Sequence, residues 1–174
     1  MFKGDGFCIM NKYISLAKEL NMLNAMIISP DNIYFDIRAI LKCRWGCEDF
    51  LKENIKCHNR NTTNLERVEM IKRYKHILIV HSNNARELSA AMLELERIAF
   101  LDGYYFTFAV RYCNICQSCS VDKGEQCPTP DKVRPCEQVF GIDVYKTARS
   151  LGLPCEVLQN KDDTQNRYGF LLIE

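Results

Sequence analysis

Ten cysteines gathered in two bunches constrain this 174-residue chain more than any other feature. Five of them, Cys113, Cys116, Cys119, Cys127 and Cys136, fall in one stretch. Cys43, Cys47 and Cys57 form a second group, and Cys8 and Cys155 stand alone. A small secreted domain uses cysteines in place of a core it is too short to build. This chain is long enough to bury a core. Its first residues, MFKGDGFCIMNK, hold no apolar stretch of the kind a secretory signal needs. The expectation is a cytoplasmic protein in a reducing compartment, where bunched thiols bind metal or do redox chemistry. Structural disulfides are the alternative.

The remaining composition is that of an ordinary folded body. Hydrophobic residues make up 47% and charged residues 26%, which excludes a disordered tail. With 23 Lys+Arg against 22 Asp+Glu the net charge is +1, so the basic excess of a dedicated nucleic-acid binder is missing and no nucleic-acid partner is expected. Purely apolar runs such as 25–28 and 77–80 are too short to span a bilayer, so no membrane partner is expected either.

Periodicity gives a coarse order of elements. Tyr13, Leu16, Ala17, Leu20 and Leu23 recur at three and four and predict a helix over 12–24. Runs at 25–29 and 37–42 read as strands, the second leading straight into Cys43. After a polar, aperiodic stretch, Asn64 reads as the cap of a helix carrying Leu65, Val68 and Ile71. A central strand follows at 76–81. A long helix over 85–102 is opened by Asn83 or Asn84 and ended by Gly103. The aromatic run 104–110 predicts a strand that delivers the chain to Cys113. Asp143 caps a helix stopped by Gly152, and 156–159 and 168–173 close the chain as strands. The expected fold class is α/β (α+β): a single mixed sheet with helices packed on it, one domain over 1–174, and cysteine-rich metal-binding loops at about 43–63 and 112–137.

The chemistry concentrates in Cys113-Asn-Ile-Cys116-Gln-Ser-Cys119, followed after seven residues by Cys127-Pro128. Tetrahedral zinc usually takes cysteines as two separated pairs. A bulkier four-iron cubane suits a chain that curls round it and offers one sulfur after another, as in the ferredoxin run Cys-x2-Cys-x2-Cys-x3-Cys-Pro. The spacing therefore favours a [4Fe–4S] cluster, with zinc as the alternative. In ferredoxins the fourth cysteine binds the other cluster. Cys127 thus either closes the Cys113/Cys116/Cys119 site or reaches across to the first group. The first is expected, because Gly124 lets the intervening loop fold back.

Cys43-Arg-Trp-Gly-Cys47 and Cys57 supply three thiolates without an obvious local fourth. Three protein ligands and an open position make a metal site reactive. Otherwise Cys136 or Cys127 completes the shell and the cluster only passes electrons. His58, next to Cys57, reads as a solvated loop histidine. Lys42, Arg44, Lys52 and Lys56 flank the first group, and Arg111, Lys123, Lys132 and Arg134 the second. Such bases can offset cluster charge and are also what any solvated loop carries.

These motifs resemble the DUF2284 family of predicted metal-binding proteins. The resemblance runs over nearly the whole chain, through LKCRWGC with Cys57, GYYFTFAV, CNICQSC with Cys127-Pro128, and RPCEQVFGIDVYKTA. It implies seven recurring cysteines, here Cys43, Cys47, Cys57, Cys113, Cys116, Cys119 and Cys127. The family usually has Cys-Pro-Pro where this chain has Cys57-His58-Asn59, and a serine where it has Cys136. Cys136 is then either an extra ligand of this protein or a small buried residue. The resemblance implies metal binding and no particular reaction.

No phosphate loop, dinucleotide fingerprint, HExxH or Gly-x-Ser-x-Gly motif is present. Three functions stay open. One is an iron–sulfur protein, with two [4Fe–4S] clusters, in electron transfer with a redox partner protein. Another is an enzyme whose three-cysteine cluster keeps an open iron for sulfur or group transfer or Lewis-acid chemistry. The last is a zinc-stabilised binding module.

Overall fold

The computed structural model describes residues 6–52, 55–57 and 60–174, with side chains from Met10 onward. Among the described residues the order of elements is α1 (Gly6–Glu19), β1 (Asn24–Ile28), α2 (Ile37–Gly46), α3 (Glu48–Leu51), α4 (Asn64–Arg73), β2 (His76–Ser82), α5 (Ala85–Leu101), β3 (Phe108–Val110), α6 (Val144–Ser150) and β4 (Arg167–Ile173). The strands form one sheet in the order β1-β2-β4-β3, and every pairing is antiparallel. The α/β class with one helix-covered sheet is as the sequence implies, but the sheet expected to be mixed is antiparallel throughout. No helix among the described residues is long and apolar enough to cross a membrane.

The two central strands pair Leu78 with Leu171 and Ile79 with Phe170. Both are apolar almost continuously because the sheet is covered on both faces. Side chains alternate across a strand. Leu78, Val80, Leu171 and Ile173 pack against α1 and α5, while Ile77, Ile79, Phe170 and Leu172 pack against Ile71 of α4, Phe140 and Ala148 of α6. Gly169 lets α5 lie close on β4, since a Cβ there would come within 2.9 Å of the Met92 side chain.

Several sequence expectations need correction. The run at 37–42 is not a strand but the start of α2, whose N-cap Asp36 accepts a hydrogen bond from the Arg38 amide at 2.8 Å. A short apolar run does not discriminate helix from strand. Here the Asp36 cap decides, and Ile40 and Cys43, three apart, share the buried side while Ile37 and Leu41 are exposed. The first group of cysteines therefore hangs from a helix end, not from a strand. The first helix ends at Glu19, before the left-handed Asn21, and not at residue 24. Thr63, not Asn64, caps α4, trading hydrogen bonds with Glu66 in a capping box. The strand expected at 104–110 is reduced to Phe108–Val110, with Tyr105 and Phe106 exposed. Residues 156–159 form no strand: Val157 faces solvent, and Asp163 accepts hydrogen bonds from the Gln159 and Asn160 amides, turning the chain.

Asn84 opens α5 by accepting hydrogen bonds from the amides of Arg86 and Glu87. Replacing it with alanine should cost about 1 kcal/mol of stability. Thermal unfolding should show this as a drop of a few degrees, and an unchanged midpoint would contradict the cap's contribution.

Candidate metal centre

The first group is assembled by a change of direction at the end of α2. Cys43 is buried on the last turns of that helix, and Cys47, which ends it, returns its amide to the Cys43 carbonyl at 3.0 Å. Residues four apart on a helix share a face, so both thiols look the same way. Asp49 follows at the start of α3, and the chain then brings in the buried Cys57. Cys47, Asp49 and Cys57 place one ligand atom each within 4.8 Å of one another. Burial pushes the Cys57 thiol up to about 12, helped by Cys47 and Cys43. Burial and the neighbouring Cys47 likewise push Cys43 up to about 11. Thiols crowded and buried in this way resist ionising alone, and a cation is what makes their thiolates favourable.

The second group starts from β3. Ser89 of α5 fixes the exit of that strand: its hydroxyl donates to the Tyr112 carbonyl at 3.0 Å and accepts from the Asn114 amide at 3.2 Å. The loop then curls back through a 3-10 turn, Val121–Lys123, closed by Gly124 at a φ of 82°. Glycine adopts that conformation without the Cβ penalty that other residues incur. Cys113, Cys116, Cys119 and Cys127 all line one cavity of about 240 Å3. Burial raises the Cys113 thiol above its ordinary value.

Between the two groups lies a polar wall. Lys56, the chain neighbour of Cys57, turns its buried ammonium towards the second cavity and meets Asp122 at 3.0 Å and the Tyr112 hydroxyl at 3.4 Å. Tyr112 donates to Asp49, which is also 3.9 Å from the Lys56 ammonium. Burial works against the Lys56 charge, yet the bond to Asp122 and the nearness of Tyr112 and Asp49 carry it above lysine's ordinary value.

Cys136 belongs spatially with the first group, although the sequence bunches it with the second. It is buried, lines a further cavity of about 320 Å3 together with Cys47 and Cys57, and lies near enough to Cys43 and Cys57 for their thiolates to disfavour its own. Burial, then the adjacent Glu137, pushes its thiol well up. Arg111, expected beside the second group, lies between the two, since it also lines a small cavity with Cys113. It lines the cavity beside Cys47 and Cys57 and forms a buried ion pair with Glu137 at 3.1 Å. Arg134 is tied to Glu96 at 2.7 Å. Cys155 is buried in the apolar cluster under β4. The nine cysteines with described side chains are free thiols. The backbone of Cys8 lies in α1, but its side chain, like His58, is outside the described residues.

Sequence reasoning missed Asp49, Arg111 as a neighbour of the first group, and Arg167. Asp49 carried a usable signal, a carboxylate two residues beyond Cys47. The arginines carried none, because only the pairing of β3 with β4 brings them together.

No curated protein and no solved structure matches the chain. The family described as predicted metal-binding protein, DUF2284, matches residues 26–173, a span that starts within β1, takes in both cysteine groups and runs to the end of β4. With that span covered, the chain belongs to the DUF2284 family of predicted metal-binding proteins.

Proposed function

We propose that this is an iron–sulfur protein that takes part in electron transfer with a redox partner protein. One [4Fe–4S] cluster would be held by Cys113, Cys116, Cys119 and Cys127, and a second by Cys43, Cys47 and Cys57 with Cys136 as the fourth thiol. The observation that carries this reading is the cavity of about 240 Å3 with four cysteines in its wall. Four sulfurs gathered on one zinc stand about 3.8 Å apart, given Zn–S bonds of about 2.3 Å in a tetrahedron. Among the described residues, the set of ligand atoms drawn within 4.8 Å is Cys47, Asp49 and Cys57, not the second group. Sulfurs held round a void suit a larger inorganic core. A [4Fe–4S] core with four thiolates carries roughly −2 overall, and the Lys56 ammonium on that cavity's wall, though paired with Asp122, places a cation beside it. The two sites adjoin through Tyr112, which lines both cavities, a placement that suits passing electrons between them.

The closeness of Cys47, Asp49 and Cys57 favours a second reading for the first site alone: a single metal ion such as zinc, with an aspartate oxygen among its ligands. Metal and sulfide analysis of protein purified without oxygen separates the two. The iron–sulfur reading expects a brown protein with about eight iron and about eight sulfide per chain. The second reading expects about four of each and one zinc. Colourless protein with zinc alone would overturn both cluster assignments.

A further inference from the structure

The cavity of about 320 Å3 beside the first group is lined by two arginines, Arg111 and Arg167, that keep buried donors without a partner. Arg111 is 7% exposed and spends one terminal nitrogen, Nη1, on Glu137, while its Nε and Nη2 have no partner. Those two N–H groups lie on the same edge of the guanidinium and point the same way. That edge matches the two oxygens of a carboxylate or phosphate. Arg167, the first residue of β4, lines the same cavity, and its buried Nε is also unpartnered. Buried donors are almost always satisfied in folded proteins, so three orphans on two arginines that line one cavity call for an acceptor. We propose that this cavity binds a small organic oxyanion, a carboxylate or a phosphate ester, clamped between Arg111 and Arg167.

The surroundings agree with that choice. Glu137 is engaged by Arg111 and Asp49 by Tyr112, so each carboxylate on the wall has a cationic or hydroxyl partner. The neutral wall offers Tyr145, Gln165 and Asn166, groups that orient a polar ligand without repelling an anion. Asn166 is itself held, donating to Glu156 at 2.8 Å and meeting His81 at 2.9 Å. The volume is at the low end for ligand pockets, roughly 300–1,000 Å3, which limits the ligand to a small molecule. Because Cys47, Cys57 and Cys136 share the wall, the bound anion would lie against the first site. That last point rests on the reading that these thiols hold metal, whereas the clamp rests on its own donors.

Calorimetric titration of the protein purified without oxygen, with inorganic phosphate and with malonate as separate probes, tests the clamp. One probe or both should saturate at one per chain, and which of them does so assigns the headgroup. Arg167→Gln should weaken that binding about tenfold to a hundredfold, as expected for losing a charged hydrogen bond, and leave the metal content unchanged. Arg111→Lys keeps the charge but loses the two-pronged edge, and should weaken binding by a similar factor. Failure of both probes to bind the wild-type protein, or unchanged affinity in Arg167→Gln, would overturn the proposal. So would an Arg111→Lys protein that loses metal yet binds the probe as before, since the arginine would then be serving the metal. A metal-free wild-type protein that still binds the probe would leave the clamp standing and remove the metal centre instead.

Discussion

Cys116→Ser protein, purified without oxygen, should contain about half the iron and half the sulfide of the wild type. On the proposed reading the four cysteines that line the second cavity act as one set, and a serine hydroxyl is a far poorer ligand for iron than a thiolate. Cys116 is exposed, so the exchange removes a sulfur without opening a hole in the core. The first group draws its sulfurs from α2, from Cys57 and from Cys136, none of which the exchange touches. Its share of the iron should therefore remain. Cys155→Ala is the matching control: that thiol is buried among apolar side chains, and its loss should leave the iron content as it was. Full iron in Cys116→Ser would mean the second cavity is not a cluster site. Loss from Cys155→Ala instead would mean that the ligand sets are wrongly drawn.

Phe170→Ala should be the most destabilising single change in the sheet. Phe170 sits in the middle of β4, fully buried, paired with Ile79 on one side and Val110 on the other. Its ring fills the face shared with Ile71 and Phe140. Emptying such a position costs about 3–5 kcal/mol through lost apolar burial and the cavity left behind. For a chain of this size that lowers Tm by roughly 6–20 °C. Phe170→Leu, which keeps most of the volume, should lose much less. Equal midpoints for the alanine and leucine variants would show that packing at this position is not what holds the sheet.

What could be read from the sequence was what neighbouring residues decide among themselves. The spacing of Cys113, Cys116, Cys119 and Cys127, with Gly124 in the gap, is local, and these four do line one cavity. The caps Asn84 and Asp143 and the buried run at β2 are local too. The run at 37–42 went wrong because its apolar residues satisfy either period, and Asp36, which decides the matter, lies just outside it. Cys136 stands with the second group along the chain, and its completing the first shell was only one of the readings left open. The turn Glu137–Phe140 packs against α2 and α4, and only that tertiary contact brings Cys136 to Cys43 and Cys57. The pairing of Arg111 with Arg167 depends on the register of two strands distant in the chain, where Val110 lies opposite Phe170. No window of sequence contains it.

Between the end of β3 and the start of α6 the chain has no α-helix and no strand, only three short 3-10 turns. The sheet behind it is laced by ladders of backbone hydrogen bonds, so the two halves of the molecule draw their order from different sources. Segments without such ladders open at little cost. Once the sulfurs let go of whatever they hold, a protease would find its first foothold in that stretch, and the sheet with its helices would outlast the cut.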